Sequence, residues 1–307
     1  MRPKTTTAVT ATVLIALLPG AVVQSEMFGE ATLANLAIAV LTAAVLEALI
    51  ARIRGLSPLQ LLRDGSACIT ASVVALSLPP GVPAGVVIVG VLIAIGIGKH
   101  AFGGVGNNPF NPAMVGYAAL LLSFPALLAA WPNPDAIDGV TGPTALDALK
   151  HRAGLTVADV WTHAHGFGAL GGARWEWLNA GYLVGGTALA ALGVIDWRIP
   201  ATVLATISIL AGVSYDGGSS SSLGSPLFHC FSGGTMLGAF FVATDPVTCP
   251  TSVRGRVYFA VLIGAALFVI RTQSTYPDGI AFAVLLANAA APLIDQVTAP
   301  RQRQDAQ

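Results

Sequence analysis

The string Asp138-Gly139-Val140-Thr141-Gly142-Pro143-Thr144 places a hydroxyl at the end of a turn-rich polar run. Read as D-G-x-[ST]-x-x-T, it is the pattern a flavin transferase needs to link the phosphate of FMN to a threonine. Such chemistry asks for an exposed, adaptable segment that another enzyme can grip. Gly139 and Gly142 supply backbone freedom, Thr144 supplies the acceptor oxygen, and Asp138 and Thr141 fill the leading positions of the pattern. A plainer reading of the same residues stands beside this one. Asp138-Gly139 is a turn signal, and Thr144 is an N-cap for a helix over Ala145–Lys150.

Other chemistry-bearing residues lie inside apolar sequence. Glu47 falls in the second apolar segment, Asp245 and Asp278 at sequence breaks, and Asp64 just inside. A carboxylate within hydrocarbon is costly, which makes each a candidate for an ion path. Glu47 also lies near enough to Arg52 to pair with it or to snorkel. The segment Asn107-Asn108-Pro109-Phe110-Asn111-Pro112 crowds three asparagines into five residues. Buried asparagines demand partners, so Asn108 and Asn111 point either to a polar cavity or to a tight loop in which they cap neighbouring turns. His151, His163 and His165 share a polar loop with Trp161, while His100 and His229 stand at segment boundaries; all five read as interfacial or solvated. Cys68, Cys230 and Cys249 form no C-x-x-C pair and read as packing residues, and no metal site is expected.

The elements that must position these groups are membrane helices. The chain has 307 residues, 54% hydrophobic and 10% charged, where a soluble domain carries roughly 25% charged residues. Net charge is zero, so there is no nucleic-acid footprint. Apolar segments occur near 8–24, 31–51, 64–79, 82–99, 112–131, 177–194, 199–213, 229–244, 256–271 and 278–296. The expected fold is an all-α integral membrane protein of about ten transmembrane helices. With the N-terminus inside, eleven lysines and arginines fall on inner segments and four (Lys150, Arg152, Arg174, Arg271) on outer ones. That bias puts both termini on the cytoplasmic side and Thr144 in a periplasmic loop of an inner membrane.

A faint duplication runs at an offset of 166 residues. It lays Ser66–Pro80 over Ser232–Pro246, and Phe110–Met114 over Tyr276–Ile280. Five spans per half imply opposite orientations, the inverted-repeat arrangement with broken helices meeting near the midplane. The expected organisation is residues 1–131 as the first five-helix repeat, 132–173 as the outer loop, 174–299 as the second repeat and 300–307 as a polar cytoplasmic tail. Residues 1–25 have the outline of a signal peptide, but the repeat takes that segment as its first helix.

Three strings carry a resemblance to a known family: the C-terminal third from GGTMLGAFFVATDPVTCP through STYPDGIAFAVLLANAAAPLID, the central KHAFGGVGNNPFNPAMVGYAALLLSFP, and the loop DGVTGPTALD. Nearly end to end, the chain resembles the D subunits of Rnf electron-transport complexes. The related B subunit of the sodium-pumping NADH:quinone reductase shares the fold and motif but is usually longer at its N-terminus. The resemblance implies FMN held on Thr144 as a phosphoester and installed by a separate flavin transferase. It also implies room for a second, non-covalent flavin such as riboflavin, with Asn108, Asn111, Glu47, Asp245 and Asp278 as candidates for that site or for an ion path. By the same resemblance the chain works beside the A, B, C, E and G subunits, coupling electron transfer between ferredoxin and NAD to Na⁺ or H⁺ translocation. Such a translocase component is not catalytic alone. One departure is Pro143, where family members more often have alanine; proline fixes its own φ and disfavours helical geometry at Gly142. A channel or secondary transporter would share the repeat and the broken helices, but would have no use for the flavin pattern.

Overall fold

The computed structural model describes residues 6–104, 106–132, 141–142, 144–152, 154–163 and 167–298. All are organised around helices. α1 (Thr6–Phe28) and α2 (Ala31–Ile53) are followed by the short α3 (Pro58–Arg63) and by α4 (Ser66–Leu76). α5 (Ala84–Leu92) runs without a break into a π-wound stretch, Ile93–His100. α6 (Pro112–Ser123) and α7 (Pro125–Ala129) complete the first half. Two short helices, α8 (Ala145–Lys150) and α9 (Val157–His163), come next. α10 (Ala173–Ala191), α11 (Arg198–Val213), α12 (Pro226–Cys230), α13 (Thr235–Leu237) with the π-wound Gly238–Val242, α14 (Val253–Gln273) and α15 (Ile280–Thr298) form the second half.

Four of these helices, α1, α2, α14 and α15, are long and apolar enough to cross a bilayer. At about 1.5 Å per residue, the 23 residues of α1 reach across a hydrocarbon core of roughly 30 Å. α4, Ala84–His100, α6 and α11 are shorter apolar helices. Their outward faces are unusual for water: Ile53, Val45, Leu41, Val213 and Ile209 are exposed, while α2 turns Ala39, Ala43 and Ala51 inward. Large apolar side chains on the outside suit lipid as the solvent, and the small inward face of α2 allows close backbone approach.

The breaks have local causes. α4 ends before Pro79-Pro80, and α6 begins at Pro112 with Asn111 as its N-cap. The expected span near 229–244 is in fact interrupted, since α12 stops at Cys230 and α13 restarts at Thr235. Gly233 sits in that gap at φ +55°, a backbone state that costs glycine little.

Shifted by 166 residues, α1 falls over α10, α2 over α11, α4 over α13 with its π-wound extension, α5 over α14, and α6 over α15. Packing follows the same correspondence. α2 rests on α3, α4 and α5 as α11 rests on α12, the π-wound end of α13 and α14, and α5 rests on α6 as α14 rests on α15. The halves join where α1 lies along α10. A Cβ on Gly181 would meet Pro19 O at 3.0 Å and Gly20 Cα at 3.1 Å, so the two backbones touch there.

Between the halves lie α8 and α9, with a two-residue antiparallel pair, β1 (Trp131–Pro132) and β2 (Thr141–Gly142). Ala145, Leu146, Leu149 and Phe228 make a small core under them.

Candidate functional site: two clefts in equivalent positions

Thr144 is the N-cap of α8: its Oγ1 accepts from Asp147 N at 3.3 Å, over the helix span expected from sequence. The hydroxyl is half-buried and not freely exposed. It stands in the wall of a narrow cleft, with Trp131, Trp175, Tyr117, Gly234 and Asp278. Three elements hold the threonine there. Trp131 pairs with Gly142 across β1 and β2, Leu146 packs into the small core, and Lys150 Nζ donates to Tyr276 O at 2.7 Å. Burial pushes the Lys150 ammonium below the usual lysine range, against the pull of Asp147. Asp138, Gly139 and Pro143 lie outside the described residues, as does His165. Thr141 contributes its backbone to β2, facing Pro132.

Asp278 is the charged end of this cleft. Its Oδ1 accepts from Arg271 Nε at 3.0 Å and Gly279 N at 2.7 Å, and its Oδ2 from Gly234 N at 2.7 Å. Arg271 continues the network: Nη1 donates to His229 O at 2.9 Å and Nη2 to Ser232 O at 3.1 Å. One ion pair therefore ties the break before α15 to the break between α12 and α13. Asn179, from α10, adds a third tie by donating to Gly233 O at 2.9 Å and accepting from Met236 N at 3.0 Å. Arg271, expected among outer-loop charges, is instead buried near the end of α14, because Asp278 and two backbone carbonyls accept its protons inside. His229, expected to be interfacial or solvated, is also buried, with Nε2 against Leu223 O at 2.8 Å.

A second, larger cleft of about 250 Å³ is lined by Lys99, Asn108, Asn111, Asp245, Thr10 and Thr244 among others. Asn111 is its hub. The side-chain oxygen caps Met114 N at 3.2 Å, Nδ2 donates to Asp245 Oδ2 at 3.3 Å, and the backbone N–H donates to Asn288 Oδ1 at 2.9 Å. Both sequence readings of the asparagines hold together: Asn111 caps α6, and Asn108 and Asn111 are buried in a polar wall.

Glu47 lies behind this wall. Its Oε1 accepts from Lys99 Nζ at 2.7 Å and lies 2.9 Å from His100 Nε2, and Lys99 Nζ also donates to Ser66 Oγ at 2.8 Å. The expected Arg52 pairing does not form; Arg52 is exposed on the other side of α2. His100, expected at an interface, is buried in the triad. Glu47 Oε2 and His100 Nδ1 are buried without a hydrogen-bond partner among the described residues.

The two clefts are related by the same 166-residue shift. Val9, Ser66, Asn111 and Pro112 line the second; the positions 166 residues on are Trp175, Ser232, Pro277 and Asp278. Trp175, Pro277 and Asp278 line the first, beside Gly233, the neighbour of Ser232. Each half thus gives one cleft residues of its first helix and of the break before its fifth, and the other half completes the wall. Chemistry has diverged within that frame. The first cleft is aromatic with one carboxylate and a hydroxyl at its edge, while the second is larger and sets Lys99, Asn108, Asn111 and Asp245 in a mostly apolar wall. Sequence reading passed over Lys99, Arg271, Asn179, Asn288, Trp131 and Trp175. The usable signal was polar residues inside apolar helices, Asn179 and Asn288 above all. Among the described residues, no group of three or more His, Cys, Asp or Glu could hold a metal ion.

A family model described as the NQR2, RnfD, RnfE family matches residues 1–304. A protein of Aeromonas hydrophila, named as the D subunit of an ion-translocating oxidoreductase complex, is 43% identical, with 94% of this chain and 92% of the relative covered. A protein of the same name from Pseudomonas aeruginosa is 44% identical over 96% of this chain and 91% of its own. Another from Vibrio cholerae is 41% identical over 98% and 96%.

Proposed function

This chain belongs to the NQR2, RnfD, RnfE family, and from that premise we propose that it carries FMN on Thr144 inside an ion-translocating electron-transport complex. It is a multi-pass membrane component of such an oxidoreductase complex. The observation that carries the flavin reading is the position of one hydroxyl. Thr144, last residue of the D-G-x-T-x-x-T pattern, opens into a cleft walled by aromatic side chains.

The residues present fit the group. The cleft's broken helices leave Gly233 and Gly234 at its wall, so no side chain projects from either position. Bound there, a flavin supplies one- and two-electron redox chemistry. Thr144 fixes the phosphate end through a phosphoester made by a separate flavin transferase. Arg271 and Asp278 hold the two breaks in register, and the aromatic wall limits water.

The second cleft is the proposed place of a non-covalent flavin such as riboflavin, where Asn108, Asn111 and Asp245 offer both donors and acceptors. Glu47, with Lys99 and His100, is the proposed ionisable group on the path of Na⁺ or H⁺, since a buried carboxylate oxygen there has no hydrogen-bond partner among the described residues. Ferredoxin and NAD are the proposed electron partners of the whole complex, with the A, B, C, E and G subunits beside this one. Lysine and arginine bias puts both termini in the cytoplasm and the Thr144 loop in the periplasm. Five helices per half then make the two repeats inverted, with 1–131 and 174–299 as the repeats, 132–173 as the loop between them and 300–307 as the tail.

The test is the mass of the Thr144 peptide from protein made alongside a flavin transferase. The expected result is an added FMN on that peptide, lost in Thr144→Val. An unmodified threonine removes the redox role from this chain.

A further inference from the structure

α2 carries an outward apolar stripe of Leu41, Val45, Leu49 and Ile53, one at every fourth position. The stripe does not stop where the helix does. Gly55, at φ +67° with Leu56 N donating to Ala51 O at 2.8 Å, turns the chain back, and Pro58 starts α3. Leu56, Leu59 and Leu62 are exposed along this return, while Pro58 and Leu61 are half-buried. Thr7 Oγ1 donates to Arg63 O at 3.3 Å and Thr10 Oγ1 to Asp64 O at 2.8 Å, fixing the end of α3 to α1. Arg52, Arg54 and Arg63 are exposed on the same return. Among the described residues none of the three forms an ion pair. Arg54 Nη2 donates to His100 O at 2.7 Å, a neutral acceptor that leaves its charge uncompensated. Asp64 is the one acid from residue 48 to residue 134, and its Oδ1 is already taken by Ser66 N at 2.8 Å and Ser66 Oγ at 2.7 Å.

From this arrangement we propose that residues 52–63 bind the headgroup of an anionic phospholipid, in the cytoplasmic leaflet under the orientation proposed above. Position and charge both argue for that occupant. The 23 residues of α2 span roughly 34 Å, against a hydrocarbon core of roughly 30 Å. Ile53 therefore lies at the edge of the hydrocarbon, and the return from Gly55 to Arg63 lies among the headgroups. There the leucines reach acyl chains, and the guanidinium groups meet phosphate through paired N–H donors. Basic clusters just beyond a membrane helix draw anionic lipid in this way. Three arginines against one hydrogen-bonded carboxylate select an anionic headgroup over a zwitterionic one. A soluble protein partner would have to cover leucines that run straight into the lipid-facing stripe of α2, and that continuity favours the membrane.

The full-length chain in neutral detergent is titrated with short-chain phosphatidylglycerol, with phosphatidylcholine of the same chain length, and with inorganic phosphate, while thermal unfolding is followed. A ligand held only by the folded chain raises the unfolding midpoint. Expected is a rise of several degrees with phosphatidylglycerol, little with phosphatidylcholine and none with inorganic phosphate, shrinking as salt is added. Detergent has no leaflets, so the outcome does not depend on the orientation. Each arginine near an anionic headgroup contributes roughly fivefold in affinity. Arg52→Gln together with Arg63→Gln is therefore expected to raise the half-saturating lipid concentration roughly twenty-five-fold. Neither guanidinium is tied to another described residue, so the fold loses no contact. Arg254→Gln, the same charge change at an exposed arginine of α14, leaves half-saturation unmoved. Equal responses to the two lipids overturn the site, as does unchanged half-saturation in the double variant. A response to inorganic phosphate equal to that to phosphatidylglycerol also overturns it, as a site for free anions. If the double variant keeps its lipid response but no longer co-purifies with other subunits, the surface belongs to a protein partner and the proposal falls. Should the double variant not fold, the parent decides: a phosphatidylglycerol response that salt does not weaken overturns the site.

Discussion

Lys99 Nζ donates to Glu47 Oε1 at 2.7 Å across the 52 residues between them, and both side chains are almost wholly buried. Removing one partner of a buried pair leaves the other charge uncompensated, at a cost of about 3–5 kcal/mol. Glu47→Gln and Lys99→Met are each expected to lower stability on that scale. The double variant is expected to lose clearly less than the sum of the singles. Chemical denaturation in detergent, analysed as a double-mutant cycle, measures the coupling. Additive losses would mean the pair is not formed.

The Arg271–Asp278 pair has a different neighbourhood, since Asp278 lines the cleft beside Thr144. Asp278→Asn keeps the acceptor for Gly234 N but leaves Arg271 with a net positive charge next to the FMN proposed on Thr144. Positive charge favours the more negative, reduced form of a redox group. The flavin midpoint potential is therefore expected to rise in Asp278→Asn and to stay near that of the parent in Asp278→Glu. Potentiometric titration of flavin absorbance reads the difference. An unmoved potential would place the flavin away from Asp278.

The contact between halves depends on glycine. A Cβ on Gly185 would enter the carbonyl oxygen of Ala16, which is backbone of α1 and cannot step aside. Gly185→Ala is expected to force α1 and α10 apart and to abolish recovery of folded protein. Gly85, on α5, has nothing within 4 Å of an added Cβ. Gly85→Ala is expected to be neutral or to stabilise by about 0.5–1 kcal/mol through helix propensity. Monodispersity by size-exclusion chromatography distinguishes the pair.

Outside the membrane helices, Asp216 is held at about 2 by hydrogen bonds from the Ser219 and Ser221 hydroxyls. Its folded value lies below the ordinary value near 3.9. The order it gives the loop is therefore fully present above that ordinary value and is lost as pH falls through about 2. Protection of the Ser219 amide, which donates to Asp216 Oδ1 at 3.1 Å, is expected to persist at pH 4 and collapse near pH 2. Hydrogen exchange corrected for the intrinsic rate checks it, and Ser221→Ala should move the collapse upward.

Local signals were legible in the sequence where the physics is local. Each of the ten apolar segments contains helix, those near 112–131 and 229–244 in pieces, and Thr144 caps Ala145–Lys150 as its hydroxyl and the following residues imply. Partners distant in sequence were not legible. Arg52 is the nearest cation to Glu47 along the chain, but five residues on a helix of 3.6 per turn place it about 140° around the axis. The true partner comes from the π-wound end of α5, where side chains are re-aimed. Arg271 and His229 misled for a related reason. Charge near the end of an apolar run reads as a loop, and only the interrupted α12–α13 segment supplies the buried carbonyls that Arg271 fills. An aromatic brace joins residues 28, 131 and 175, a convergence that no window of sequence contains.

Asn111 joins the two breaks of the second cleft through Asp245, and that link can be reversed by exchange. Asn111→Asp preserves the N-cap of α6, because aspartate caps as well as asparagine. It also sets two carboxylates where an amide donated at 3.3 Å, so one must take a proton or the breaks must part. Asn111→Asp alone is expected to cost about 1–3 kcal/mol, the scale of a buried polar group left without its partner. Adding Asp245→Asn restores one donor facing one acceptor, and most of the loss should return. Thermal unfolding in detergent reads the stability, and flavin retained after chromatography reads the cavity. If the exchange recovers stability but not the retained non-covalent flavin, the cleft needs its carboxylate at position 245 specifically, and Asp245 is a ligand as well as a tie between helices. If neither recovers, Asn111 and Asp245 do not act as a pair, and the second cleft is held together by Asn288 and the backbone alone.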